Sequence, residues 1–378
     1  MLVFCLFRVG PALNPRLIGF SNLPTMMCAL LTELPSVRVG ILTRDTFNRT
    51  MSVVILNEED VKQLLPMNEC IDVMEDAFMA LARAEIDQPL RTIFRPPNVK
   101  GVMAMMPTFR GGQAPLFGLK AICVFPGNAA IGKDAHQGAV ILFDGTTGEL
   151  RAVVNASAIT AIRTAAVSGL ATRVLAMPAA STLAIIGAGV QARTHLEAIA
   201  CVRKLERVRV AAARKQSAEA FAREMKTQVA FDIEAVDSSE AALRDAQIIV
   251  TATTSREPVM RREWIASGAH INAIGTFSPK ARELDTATMA DGSVFVDRRE
   301  SAFNEAGDYL IAAAEGAIGP ESIRAELGEV LIGKHPGRTA QDEITIFKSL
   351  GLAMEDLAAA EYCYRKAGEK NKGASVSF

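Results

Sequence analysis

The stretch Ser181 to Ala192, STLAIIGAGVQA, sets two glycines and an alanine at the spacing that lets a backbone wrap a pyrophosphate. Gly187 permits a tight turn off an apolar strand, Gly189 lets the chain come close to phosphate oxygens, and Ala192 is small enough for a helix to lie on the sheet. The free N–H groups and positive dipole end of a helix beginning near Val190 would meet the phosphate charge, with Gln191 beside them. The same turn can be purely structural, but strands and helices alternate from here to Asp297, so the chemistry it implies is dinucleotide binding. The ribose preference reads from the next strand. A site for NAD carries an acid about 20 residues past the glycines, whereas this chain has Ala211-Ala212-Ala213-Arg214-Lys215. NADP(H) is favoured, with Arg214 as the phosphate partner and NAD(H) as the alternative; otherwise Arg214 and Lys215 form a solvated turn.

Other reactive residue types are sparse. The four histidines, at 136, 195, 270 and 335, and the six cysteines, at 5, 28, 70, 123, 201 and 363, show no ligand spacing and no C-x-x-C pair. No metal is expected, and reduced thiols point to a cytoplasmic setting. His136 reads as a turn histidine bonded to backbone, or else as a neighbour of the pocket. Lys120 stands in an otherwise apolar strand, where burial would lower its pKa and make it a proton donor. Arg91 and Arg163 could clamp a carboxylate through planar, bidentate guanidinium groups. Taken singly, each of these three cations could as well be solvated or part of an ion pair.

The elements that must position these groups follow from pattern. A chain of 378 residues with 49% hydrophobic and 22% charged residues is long enough for two domains. No apolar run reaches bilayer length, and a net charge of −1 with mixed signs offers no basic face, so neither a membrane nor nucleic acid is an expected partner. Residues 1–50 mix short apolar bits with Pro and Arg; they read as a poorly ordered extension, either a transit-like segment or the product of an upstream start codon. Ile71, Met74, Phe78 and Leu81 recur at helical spacing, and short strand-like runs at 101–106, 116–125 and 138–143 suggest a curved antiparallel sheet. The fold class is α/β, a doubly wound Rossmann sheet over 178–319 beside an α+β domain from 51–177 together with 320–378. Strands are expected at 182–187, 208–213, 231–236, 247–252, 270–274 and 294–297, so that Thr251, Thr253, Asn272 and Gly275 rim the crevice at their carboxyl ends. The strand at 343–347 and the helix at 350–366 are expected to return to the first domain.

LRTIF, GLKAICVFPGN, ITAIRTAAVSGLAT, IIGAGVQA, INAIGTFSPKARELD, VFVDRRESAFNEAGD and EITIFKSLGLAMEDLAAA, in this order, resemble the ornithine cyclodeaminase/mu-crystallin family. The resemblance runs from Met51 to the C-terminus. It implies a homodimer whose substrate-binding domains pack together, a bound NAD(P), and hydride transfer at an amino-acid Cα. By position it implies that Arg91 binds the substrate carboxylate, that Lys120 lies beside it, and that Arg163 contacts substrate and cofactor. It also places Val190, Gln191, Ile274 and Ser349 on the cofactor, and Arg282 near cofactor and ligand unless it pairs with Glu283 or Asp285 at the surface. Met106 would pack under the pocket and touch substrate.

Two departures bear on the reaction. Cyclodeaminases carry an acid where this chain has Phe277, and a Glu where it has Ala104. A phenyl ring cannot move a proton, and an apolar wall suits a ring or short alkyl group. The first reading is therefore reduction of a small cyclic imino acid, Δ1-pyrroline-2-carboxylate or its six-membered homologue, to L-proline or L-pipecolate. An ornithine cyclodeaminase would need Glu283, Asp285 or Asp308 to reach substrate. A reductase of open-chain imines, such as an alanine dehydrogenase, could use Arg95 or Arg282 for a second carboxylate. A non-enzymatic, crystallin-like ligand binder is the remaining alternative.

Overall fold

A computed structural model describes residues 52–378; the expectation for residues 1–50 lies outside them. The chain opens with β1 (Ser52–Leu56), α1 (Glu58–Leu64), α2 (Met67–Ala82), β2 (Ile86–Asp87), β3 (Thr92–Phe94), β4 (Val102–Arg110), β5 (Leu116–Val124), β6 (His136–Asp144), β7 (Leu150–Asn155) and α3 (Ala156–Leu175). Next come β8 (Thr182–Ile186), α4 (Val190–Val202), β9 (Arg207–Ala211), α5 (Lys215–Met225), β10 (Asp232–Ala235), α6 (Ser239–Leu243), β11 (Ile248–Thr251) and β12 (His270–Ala273). The rest is α7 (Thr286–Asp291), β13 (Ser293–Val296), α8 (Arg299–Glu305), α9 (Gly307–Ala314), β14 (Ile323–Glu326), α10 (Leu327–Leu331), β15 (Thr345–Lys348), α11 (Ala353–Lys370) and β16 (Ala374–Ser377).

Two eight-stranded sheets result. The first is mixed, in the order β16-β1-β7-β6-β5-β4-β2 with β3 also on β4. β4, β5 and β6 alternate between the two faces. Gly118, Lys120 and Ile122 of β5, with Ala104, Met106 and Thr108 of β4, turn inward against the helices. Met103, Met105, Pro107 and Phe109, Phe117, Leu119 and Ala121, and Ala139, Ile141 and Phe143 turn to the other side, which no described element covers. Period-two alternation of this kind normally sets apolar against polar; here both faces are apolar.

The second sheet is parallel throughout, ordered β10-β9-β8-β11-β12-β15-β13-β14. The chain enters at β8, builds outward through β9 and β10, then returns to the other side of β8 at β11. That reversal opens the ligand crevice at the strands' carboxyl ends.

One expectation is overturned. The strand near 343–347 does not return to the first domain: β15 lies between β12 and β13, in the middle of the parallel sheet, and β14 forms its edge. All four residues of β15 are buried, as a strand covered on both faces requires. Only with α11 and β16 does the tail rejoin the first sheet, where β16 pairs with β1.

Helix α3 joins the two halves. By length and apolarity it could cross a membrane, but its small residues let α2, α4 and α11 close around it. Asn155 caps it, accepting from Ala158 N–H at 2.9 Å. The buried His195 of α4 bonds the Gln191 carbonyl at 2.7 Å and Ser168 Oγ of α3 at 2.9 Å. Burial lowers this imidazole to about 4, so it stays neutral and fixes the glycine-turn helix against α3.

Candidate active site

The glycine turn forms as its spacing demands. Gly187 adopts φ +122°, and a Cβ there would lie 2.4 Å from the Ala252 carbonyl oxygen, so only glycine fits. Gly189 caps α4 and faces open space, with nothing near a Cβ built on it. Ala192 is fully buried under the helix. Gln191 lines the crevice, and its buried Oε1 has no partner among the described residues. Backbone N–H groups at a helix start, an open approach and an unused amide oxygen fit a dinucleotide.

Beside the turn lies a cavity of about 260 Å³ between the two sheets. Lys120 of β5, Arg163 of α3 and Arg91, just before β3, bring their cations to it, with Met106, Thr253, Ile274, Gly275, Phe277 and Ser349 around them. Arg95 and His136 stand on the same lining. The backbone reading of His136 fails because β6 begins at this residue and turns its ring inward.

Each cation is held by a carboxylate. Lys120 Nζ lies 2.9 Å from Asp356 Oδ1, and Arg163 Nε donates to the same oxygen at 2.9 Å. Arg163 Nη1 reaches Glu355 Oε2 at 2.5 Å. Arg91 Nε sits 3.0 Å from Glu305 Oε2, while its Nη2 donates to the Leu350 and Gly351 carbonyls, each at 2.8 Å. Two of the three nitrogens on each guanidinium are therefore engaged by the protein. One nitrogen of each guanidinium makes no hydrogen bond among the described residues, and Arg91, Arg163 and Lys120 all line the same cavity.

The electrostatics follow from burial. Lys120 is 2% exposed; burial, helped by the Arg163 and Arg91 charges and opposed by Asp356, lowers its ammonium to about 8. Burial likewise lifts the Glu355 carboxyl to about 7, although Arg163 resists it. Asp356 is equally buried, yet the adjoining Arg163 and Lys120 charges outweigh that and keep it below the usual carboxylate range.

Glu355 and Asp356 were invisible as site residues in the sequence because acids in a first helical turn are commonplace. The signal was available: they interrupt a run that is apolar on every side, Leu352-Ala353-Met354 before and Leu357-Ala358-Ala359-Ala360 after, and a carboxylate buried there needs a cation.

Three expected positions, Thr251, Asn272 and Arg282, lie off the cavity. Thr251 and Asn272 lie inside the protein instead of on the rim: Thr251 Oγ1 donates to Glu283 Oε2 at 2.9 Å, and Asn272 Nδ2 to Thr172 Oγ1 at 2.9 Å. Arg282 turns away from the cavity to Glu315 at 3.1 Å and Thr286 at 2.8 Å, not to Glu283 or Asp285. Val190 is 59% exposed and lines a separate groove with α1 and α3. Arg214 is exposed where β9 ends, and Lys215 pairs with Asp237 at 2.6 Å. The acids a cyclodeaminase would need are committed to structure. Glu283 accepts from Thr251, Thr253 and Gly275, Asp285 caps α7, and Asp308 accepts from the Glu283 and Leu284 N–H groups.

Residues 51–371 match the ornithine cyclodeaminase/mu-crystallin family. A Delta(1)-pyrroline-2-carboxylate reductase of Bacillus cereus is 37% identical over 329 residues, 87% of this chain and all of the relative. The structure of Thermococcus litoralis Delta(1)-pyrroline-2-carboxylate reductase in complex with NADH and L-proline superposes with a TM-score of 0.83 at 38% identity, over 86% of this chain and all of that one. An archaeal alanine dehydrogenase dimer with bound NAD gives a TM-score of 0.82 at 34% identity, over 87% of this chain and all of that one. The glycine turn, the three cations around one small cavity and the extent of these matches lead to one conclusion: the chain belongs to the ornithine cyclodeaminase/mu-crystallin family, beside NAD-linked imine reductases and dehydrogenases.

Proposed function

We propose that this protein reduces a small cyclic imino acid, Δ1-pyrroline-2-carboxylate or its six-membered homologue, to the corresponding L-amino acid. The observation that carries this reading is the gathering of Arg91, Arg163 and Lys120 on one small cavity that the Phe277 side chain also lines. The cavity falls just short of the roughly 300–1,000 Å³ that drug-sized ligands occupy, which suits a compact ring. A nicotinamide held by Gly187, Gly189, Gln191, Ile274, Gly275 and Ser349 would supply the hydride. The two arginines fix the substrate carboxylate, so that the C=N carbon faces the cofactor side of the crevice. The Lys120 ammonium donates its proton to the imine nitrogen, and its lowered pKa matches that task near neutrality. Asp356 supports the cations from behind and does not line the cavity.

NADPH is the proposed reductant, on the exposed Arg214 where β9 ends. The proposed assembly is a homodimer formed through the outer face of the first sheet, where Phe117 is 47% and Met103 40% exposed; an apolar face of that extent calls for a partner, and the alanine dehydrogenase relative is a dimer.

Steady-state assays with pyrroline and piperideine carboxylates and both reduced nicotinamides test this reading. The expected result is oxidation of the nicotinamide dependent on the imine at neutral pH. Robust turnover of ornithine without added reductant, beside inert imines, would overturn it. A second reading, reduction of an imine with a second carboxylate, draws on Arg95, which lines the cavity and makes no ion pair or hydrogen bond among the described residues. Activity confined to a dicarboxylic keto acid plus ammonia would favour it.

A further inference from the structure

Lys120 has a carboxylate partner that is not itself part of the cavity wall. Asp356 Oδ1 receives both Lys120 Nζ and Arg163 Nε, and the buried Oδ2 has no hydrogen-bond partner among the described residues. Its backbone is fixed by the first turn of α11, where the Leu352 N–H donates to Glu355 Oε1 at 3.0 Å and the Met354 N–H to Gln88 Oε1 at 2.9 Å. The following residue, Leu357, packs directly beneath Gly118 of β5, where an added Cβ would fall 2.7 Å from its Cδ1. Close packing of α11 on β5 thus sets the distance between Asp356 and Lys120, two residues along the same strand.

The titratable and charged groups around the ammonium are Arg163 from α3, Arg91 from the segment before β3, His136 from β6, which burial and the cations keep neutral, Glu355 and Asp356 from α11, and, beyond Arg91, Glu305 from α8 and Asp297 after β13. Of the carboxylates among the described residues, only Asp356 touches Lys120. Two guanidinium groups push against a buried ammonium that a single carboxylate supports.

We propose that Asp356 is a positioning residue for Lys120, aiming the ammonium into the crevice and keeping it charged for protonation of the imine nitrogen. This rests on the reductase reading. In the step it serves, hydride from the reduced nicotinamide forms the new C–H bond, the C=N π pair moves to nitrogen, and a proton leaves Lys120 Nζ to form the N–H bond. The nicotinamide is oxidised and the imine reduced. Lys120 is left neutral and regains its proton from solvent before the next turnover. Asp356 exchanges no proton with substrate.

The test measures, against pH, kcat/KM for the imine and the affinity of the NADH-loaded protein for pyrrole-2-carboxylate, a flat carboxylate that cannot be reduced. Wild type should lose both above about pH 8. Asp356→Asn should move that alkaline limb down by at least one pH unit, a loss of about threefold or more at pH 7.5 that approaches tenfold or more above pH 8, with NADH affinity within twofold of wild type. Lys120→Arg, whose charge does not depend on Asp356, should lose the limb near pH 8 in pyrrole-2-carboxylate binding, keeping only the decline from about pH 7 that Glu355 imposes, while losing turnover. A limb that stays in place in Asp356→Asn with activity uniformly reduced, or a parallel loss of NADH affinity, assigns Asp356 a merely structural role and overturns the proposal. Should Asp356→Asn fail to fold, a limb near pH 8 that is as deep in Lys120→Arg as in wild type overturns it instead. The two readings fail separately: a wild type that reduces no imine, yet whose pyrrole-2-carboxylate affinity follows Asp356, refutes the reductase and leaves the pairing intact.

Discussion

Glu283 and Gly275 meet at a distance only glycine tolerates: the carboxylate accepts the Gly275 N–H at 2.8 Å through Oε2, and a Cβ on Gly275 would stand 2.4 Å from its Oε1. The same carboxylate accepts Thr251 Oγ1, Thr253 N–H and Thr253 Oγ1, tying the ends of β11 and β12 together beneath the crevice. Lys348 Nζ, 2.8 Å from the Thr276 carbonyl and 2.9 Å from Asp308, braces the loop that follows. Glu283→Gln turns an acceptor into a donor facing donors, a cost of about 1–3 kcal/mol for a buried group. NADH affinity should fall about tenfold or more, measured by fluorescence titration with thermal melting alongside; wild-type affinity in that variant would refute the tie.

Phe277 forms the apolar wall of the cavity and is 42% exposed, open to a ligand. Phe277→Ala removes a surface that binds the substrate ring equally in ground and transition states. KM for the imine should rise by about tenfold, from roughly 1.5 kcal/mol of lost apolar contact, with kcat changed much less. A fall in kcat at constant KM would place the ring elsewhere.

Much of this was readable from residues because local and tertiary demands agree. The parallel strands are short apolar runs bounded by turn residues, and Gly187 is needed for a backbone that other residues strain to adopt. Reading failed where tertiary packing chose between equivalent local options. The segment Thr345–Lys348 has the composition of a buried strand, but nothing local says which sheet has a gap. Thr251 ends β11 and Asn272 is one residue short of the end of β12, yet strand ends present side chains on both faces, and theirs turn to Glu283 and Thr172. Lys120, Arg91 and Arg163 were legible as chemistry; their carboxylate partners were not, because the distances from Lys120 to Asp356 and from Arg91 to Glu305 are set by chain segments more than two hundred residues apart.

Ile141 lies at the middle strand of the uncovered sheet face, between Leu119 of β5 and Val153 of β7. Ile141→Asp would place a charge in the proposed dimer interface without entering the inward core. Sedimentation should show a monomer where wild type gives a dimer, since an unpaired charge cannot be buried there cheaply. An unchanged sedimentation coefficient would move the interface to another face.

Arg214 stands at the N-cap of α5, past the end of β9, and carries no ion pair among the described residues, whereas Lys215 is taken by Asp237. A 2′-phosphate would draw on that free guanidinium. Arg214→Ala should cut kcat/KM for NADPH by roughly tenfold to a hundredfold, as loss of a charge-assisted bond of about 1.5–3 kcal/mol implies, and leave NADH within twofold. Equal effects on both nicotinamides would remove the basis for an NADPH preference.

Glu355 makes substrate binding a proton-coupled event. Arg91, Lys120 and Arg163 face Glu305, Glu355 and Asp356, three cations to three carboxylates, so an incoming substrate carboxylate adds negative charge to a balanced cluster. Glu355 already titrates near neutrality because burial lifts it to about 7, and it shares Arg163 with the ligand. A second anion on that guanidinium raises Glu355 further, so the complex holds a proton that the free protein has lost. Affinity should therefore be highest below about pH 7 and weaken as pH rises between the free and bound values of Glu355. Lys120 also gains a proton on binding, but only where it is already partly neutral, near pH 8 and above. Calorimetry of L-proline binding at pH 7, in buffers of different ionisation enthalpy, should show fractional proton uptake in wild type and almost none in Glu355→Gln. Undiminished uptake in that variant would assign the proton to another group, with Glu305 the next to replace.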